Sequence, residues 1–197
     1  HQISQPIQSL KKNENSFERL ADIMLELQAK GCHNINFVSP SHFVAQIIRS
    51  VAIAASKGLR IPLVYNTNAY DSLQALRLLH GIIDIYLPDI KYSDDNEAKE
   101  YSKAKEYVKH ARQAITEMKM QVGSLAINDD GIAVRGLIIR HLVLPNDIAG
   151  SEDSLRFISE KIGKKTFISV MSQYFPANRS AEFPLLSRPI RPREYEK

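Results

Sequence analysis

Five short apolar runs alternate with helix-like stretches along the chain, and each run stops at a small polar cluster. They are NINFVSPSH (34–42), IPLVYNTN (61–68), IDIYLPDIK (83–91), GLIIRHLVLP (136–145) and TFISVMSQY (166–174). Each is rich in Val, Ile, Leu, Phe or Tyr, the pattern of buried parallel strands with helices on both faces of the sheet. Strand–helix alternation gives a parallel sheet with right-handed crossovers, an α/β fold. Ligands in such folds sit at the carboxyl ends of the strands, so the five clusters are expected to form one site.

The intervening stretches carry helix signals. Phe17, Leu20, Ile23, Met24 and Leu27 recur at helical spacing, with Ser16 as an expected cap and Gly31 as the stop. FVAQIIRSVAIAASKG closes at Gly58, and Asp71 or Ser72 is expected to cap SLQALRLLHG. Pro88 lacks a ladder donor, so strand pairing should end or bulge there. Residues 94–122 read as two helices joined near Ser102–Lys105, INDDG (127–131) as a turn, and SLRFISEKIG as a helix begun by Ser151-Glu152-Asp153. From about residue 177 the Pro-rich tail reads as irregular, and the basic SRPIRPREYEK as solvated.

With 197 residues, 44% of them hydrophobic and 24% charged, the chain matches one globular domain over 1–197. A net charge of +4 without a basic stripe interleaved with aromatics does not point to nucleic acid. No apolar run reaches membrane-spanning length. Cys32 is the sole cysteine, which excludes a disulfide framework, suits a reducing cytoplasm, and cannot by itself hold zinc or an iron–sulfur cluster. No G-x-G-x-x-G or P-loop occurs, which argues against a dinucleotide fold. The first residue is not Met, so a fragment or processed chain is expected.

Asp89 and Lys91 are two apart, so in an extended strand both face the same way and can grip a zwitterion or a cation. The alternative is a local salt bridge at the rim. Asn66 and Thr67 offer amide and hydroxyl groups suited to a ribose or a carboxylate, or else form a turn. Arg140 sits among apolar residues, where an unpaired charge is costly, so it is expected to be paired or to face a wet cavity and bind an anion. His141 reads as a satisfied core or rim histidine. Gln173 and Tyr174 are polar at a strand terminus. His42, Asp89 and His141 could form a metal site for a hydrolase or isomerase, although no H-x-H or H-E-x-x-H pair supports it. A triad using Ser39 or Ser41 lacks a G-x-S-x-G elbow. A barrel that binds a nucleoside or a partner protein without catalysis is a third reading.

The segments HQISQ (1–5), ADIMLELQAKGCHNINFVSPSHF (21–43), LVYNTNAYDSLQAL (63–76), IIDIYLPDIKY (82–92), RGLIIRHLVLPNDIAG (135–150) and MSQYFPA (171–177) resemble radical S-adenosylmethionine (SAM) proteins similar to pyruvate formate-lyase activating enzyme. The resemblance implies a partial (β/α)6 TIM-like barrel whose first strand precedes residue 1. It also implies a C-x3-C-x2-C loop just upstream that binds a [4Fe–4S] cluster, so that the chain as given is inert in SAM cleavage. Ser39, Pro40, Ser41 and His42 stand where relatives carry a Gly-Gly-Glu motif for the SAM amino group, and the glutamate contact is gone. Asn66, Thr67, Asp89 and Lys91 match positions near the SAM carboxylate, with Asn66 replacing the activase's aspartate. Arg140 matches an arginine facing the cofactor, while Gln173 or Tyr174 lies near an activase histidine that contacts SAM. The implied chemistry is reductive SAM cleavage to a 5′-deoxyadenosyl radical that abstracts hydrogen. A flavodoxin or ferredoxin is the implied electron donor, and a glycyl radical enzyme is the protein substrate by analogy.

Overall fold

Every one of the five apolar runs forms a strand in the computed structural model, which describes residues 15–196. They give β1 (Ile35–Val38), β2 (Leu63–Thr67), β3 (Ile85–Pro88), β5 (Ala133–Leu142) and β6 (Phe167–Met171). α1 (Asn15–Ala29) precedes them, and between them lie α2 (Val44–Ser56), α3 (Leu73–Leu78), α4 (Asp95–Ser102), α5 (Tyr107–Val122) and α6 (Ser151–Phe157). The sixth strand, β4 (Ala126–Ile127), pairs antiparallel with the start of β5. It was not legible as a strand because only two residues pair, and the Asn128 side chain accepts from the Asp130 and Ile132 amides to make the turn. The result is a mixed α/β fold with a mostly parallel sheet in the order β1-β2-β3-β5, with β4 and β6 both on β5.

The register sets Phe37, Tyr65, Tyr86 and Leu137 side by side. Parallel neighbours in register point to the same face. All four are buried in one core with Met24, Ile47, Leu76, Ile115, Met118 and Ile158 from the helices and the turn after α6. Residues of the opposite parity are mixed: Val64 and Ile85 are buried as well, but others are not. Val38 is 62% exposed and Phe167 52%, and Asn66, Leu87, Ile138 and Arg140 are half-buried. Helices therefore cover one face of the sheet, and among the described residues the other is closed at Val64 and Ile85 but accessible around Val38, Asn66, Leu87 and Arg140. This corrects the expectation of helices on both faces: apolar strand composition signals burial against something, but Val38 and Phe167 are apolar and still exposed.

Smaller corrections follow from local bonding. Ser16 lies inside α1, which begins at Asn15. Neither expected side chain caps α3: Ser72 holds the N-cap position without a side-chain bond, and Asp71 is engaged elsewhere. After α6 the chain makes a π-helical turn, Ile158–Ile162. The tail is docked as well as solvated. Leu186 is buried, a short helix α7 (Pro192–Tyr195) forms, and Glu194 accepts from Arg188 and from the Asn146 amide in the loop after β5. HQISQ (1–5) lies outside the described residues. Among those described, no helix is long and apolar enough to cross a membrane.

Candidate functional site

Pro88 is the last residue of β3, where its missing N–H interrupts the ladder, and the chain then keeps the same two neighbours. The Asp89 amide donates to the Thr67 carbonyl on β2 and the Ile90 amide to the Arg140 carbonyl on β5. Asp89 thus lies opposite Arg140, in line with the open-face residue Leu87. Their side chains meet there. Arg140 Nε donates to Asp89 Oδ1 at 2.7 Å and Arg140 Nη2 to Asn66 Oδ1 at 2.7 Å. Lys91 Nζ donates to Asp89 Oδ2 at 3.0 Å, as the two-residue spacing predicted. Charge-assisted bonds of this kind are about twice as strong as neutral ones.

The cluster carries two cations on one carboxylate, a formal charge of +1. Side-chain exposures of 41% for Lys91, 20% for Asp89 and 28% for Arg140 leave it partly desolvated and still reachable. Because each Asp89 oxygen already holds a cation, Asp89 serves to aim Lys91 and Arg140. Of the two ligands first considered, a cation and a zwitterion, the arrangement favours the anionic end of the zwitterion.

The loops around the cluster are fixed from behind. Loop 89–93 is joined to the loop after β5 by the Ser93 amide, which donates to the Ala149 carbonyl. A Cβ on Gly150 would lie 1.8 Å from Ser93 Oγ, so a side chain there would displace that hydroxyl, and the φ of +59° also favours glycine. The Tyr107 hydroxyl accepts from the Lys91 amide at 2.9 Å and lies within donating reach of the carbonyls of Asn68 and Asp89. The buried carboxylate of Asp71 accepts from the hydroxyls of Ser41, Tyr65 and Thr67. Burial, with Asp71 beside it, pushes the Tyr65 phenol well above its ordinary range, so it stays a donor. Tyr107 and Asp71 were missed at the sequence level: Asp71 resembled a cap, and no local pattern marks a tyrosine at a helix start as a brace.

Several candidates therefore fall outside the cluster. Thr67 is buried and bonded to Asp71, on the face away from Asn66, as adjacent strand residues must be. Ser41 is spent on the same carboxylate. Ser39 is exposed with a left-handed backbone, and its amide extends the β1–β2 ladder to the Asn66 carbonyl. His42 and Gln173 are exposed. Tyr174 donates its hydroxyl to the Leu186 carbonyl and so anchors the tail. His141 is buried, donating from Nδ1 to the Ile90 carbonyl and accepting at Nε2 from Ser151, the satisfied histidine expected. Burial lowers its pKa. Among the described residues, no three His, Cys, Asp or Glu side chains lie together as metal ligands, so His42, Asp89 and His141 do not assemble.

No protein-family profile matches the chain. Over 167 residues, 83% of its length, it is 30% identical to the uncharacterized protein MJ0674 of Methanocaldococcus jannaschii, and it spans 44% of that protein's length.

Proposed function

We propose that this chain is the SAM-binding portion of a cytoplasmic radical SAM enzyme, with its strands forming part of a (β/α)6 barrel. The supporting observation is the convergence of Lys91 and Arg140 on Asp89 at the carboxyl ends of the strands, on the open sheet face. The one-sided helix cover is what a barrel wall requires, since helices ring the outside of a barrel and ligands sit at the carboxyl ends of its strands.

The donor set suits one end of SAM. Lys91 and Arg140 hold the carboxylate, Asp89 orients both cations, and Asn66 steers the guanidinium through Nη2. Val38, Leu87 and Ile138, on the same face as Asn66, offer an apolar surface for the adenosine and limit water there. Bound SAM would supply hydrogen-atom abstraction through one-electron cleavage to methionine and a 5′-deoxyadenosyl radical, the electron coming from a donor such as flavodoxin or ferredoxin by way of the cluster, and a glycyl radical enzyme is the substrate by analogy. The residues present do not fit a [4Fe–4S] cluster: Cys32 is the sole cysteine, and no three-ligand group occurs among the described residues. The proposal therefore requires cluster cysteines encoded upstream of His1.

The test is anaerobic reconstitution of the full-length protein with iron and sulfide, followed by reduction with SAM. Cluster iron, acid-labile sulfide and 5′-deoxyadenosine are expected. A full-length protein with no upstream cysteines, or one that binds stoichiometric zinc and yields no 5′-deoxyadenosine, overturns the proposal.

A further inference from the structure

We propose that Tyr107 is a positioning residue whose hydroxyl fixes the backbone of Lys91 and thereby aims its ammonium at the bound anion. This rests on the reading of the Lys91–Asp89–Arg140 cluster as the anion site. The sheet itself does not fix Lys91. The β3 ladder ends at Pro88, the Asp89 and Ile90 amides bond to β2 and β5, and the Lys91 amide, next in line, bonds to the phenol of Tyr107. The same hydroxyl lies 3.1 Å from the Asn68 carbonyl and 3.2 Å from the Asp89 carbonyl. One oxygen thus ties the loop that follows β2 to the loop that carries Asp89 and Lys91.

The phenol is held firmly enough to act as a brace. Tyr107 is 2% exposed. Its ring stacks on Tyr70 at 6.0 Å between centroids and meets Tyr92 edge-on at 5.7 Å. The Tyr70 hydroxyl in turn donates to the Lys105 carbonyl, just before α5. Lys103 and Glu106, both left-handed, bend the chain that delivers Tyr107. Burial raises its pKa, so the hydroxyl keeps its proton to donate.

Tyr107→Phe keeps the ring contacts and deletes only the hydroxyl. SAM affinity is measured by equilibrium dialysis for the wild type, Tyr107→Phe, Lys91→Ala and the double variant. Tyr107→Phe is expected to weaken binding about tenfold, because the Lys91 amide loses its partner. On the Lys91→Ala background it should add nothing, since its effect travels through Lys91. An affinity within about twofold of wild type, or an equal loss on both backgrounds, overturns the positioning role. Amide exchange by NMR separates this from failure of the ligand assignment. If wild type binds no SAM, the SAM reading falls, and the Lys91 amide alone decides. Exchange there at least about tenfold faster in Tyr107→Phe, with the Ile115 amide unchanged, supports the brace, and unchanged Lys91 exchange overturns it.

Discussion

Lys91→Ala removes one of the two cations and takes the cluster from +1 to zero. Unit charges 4 Å apart attract by about 1 kcal/mol at the dielectric constant of water and about 4 kcal/mol at an effective value of 20. Lys91 is 41% exposed, so solvent screening puts the loss toward the lower end, about 1–2 kcal/mol. That corresponds to a roughly 5- to 30-fold higher Kd for SAM. The fold should survive: the Lys91–Asp89 pair is solvent-accessible and worth at most about 1 kcal/mol, and Asp89 keeps Arg140. Isothermal titration calorimetry at about 0.1 M and about 1 M salt reads the effect, because the screening length falls from about 10 Å to about 3 Å over that range. The gap between wild type and variant should narrow at high salt. A folded Lys91→Ala protein that binds within about twofold of wild type at low salt would refute the reasoning and leave Lys91 as a rim salt bridge.

Asp71→Ala should cost about 2–5 kcal/mol in urea unfolding, because the buried hydroxyls of Tyr65 and Thr67 lose their acceptor. A loss below about 1 kcal/mol would show that those hydroxyls find other partners. The lowered pKa of His141 means that the unfolded chain takes up its proton first. Stability from this group is therefore whole above its unfolded pKa of about 6.5 and is lost as pH falls from there through the lower folded value. The urea midpoint should drop between about pH 8 and about pH 5.5, and less so in His141→Asn. An equal drop in both proteins would place the titration elsewhere.

Much of the cluster was legible because strand parity is local. The two-residue spacing put Asp89 and Lys91 on one side, and the local salt bridge that was the alternative reading does form, although both residues lie past the end of β3. Arg140 and His141, like Asn66 and Thr67, are adjacent in sequence and had to point to opposite faces. The break at Pro88 and the junction between α4 and α5 were also local signals. What parity cannot say is which face receives the helices. That assignment sent Asn66 and Arg140 to the open side and Thr67 and His141 into contacts with Asp71, Ile90 and Ser151. Gln173 and Tyr174 lie outside the cluster for a related reason: they come after the last paired residue, Met171, where strand geometry no longer directs a side chain.

The sequence by itself determined the strand–helix alternation, the polar strand ends and the shared direction of Asp89 and Lys91, because each depends on periodicities of two or about 3.6 residues. Only the tertiary structure decided that Arg140 would reach Asp89 across 51 positions and Asn66 across 74. It also decided that Tyr107 on a distant helix would hold the Lys91 backbone. Such contacts are set by the order and register of strands packed in parallel, and no local stretch of the chain encodes that order.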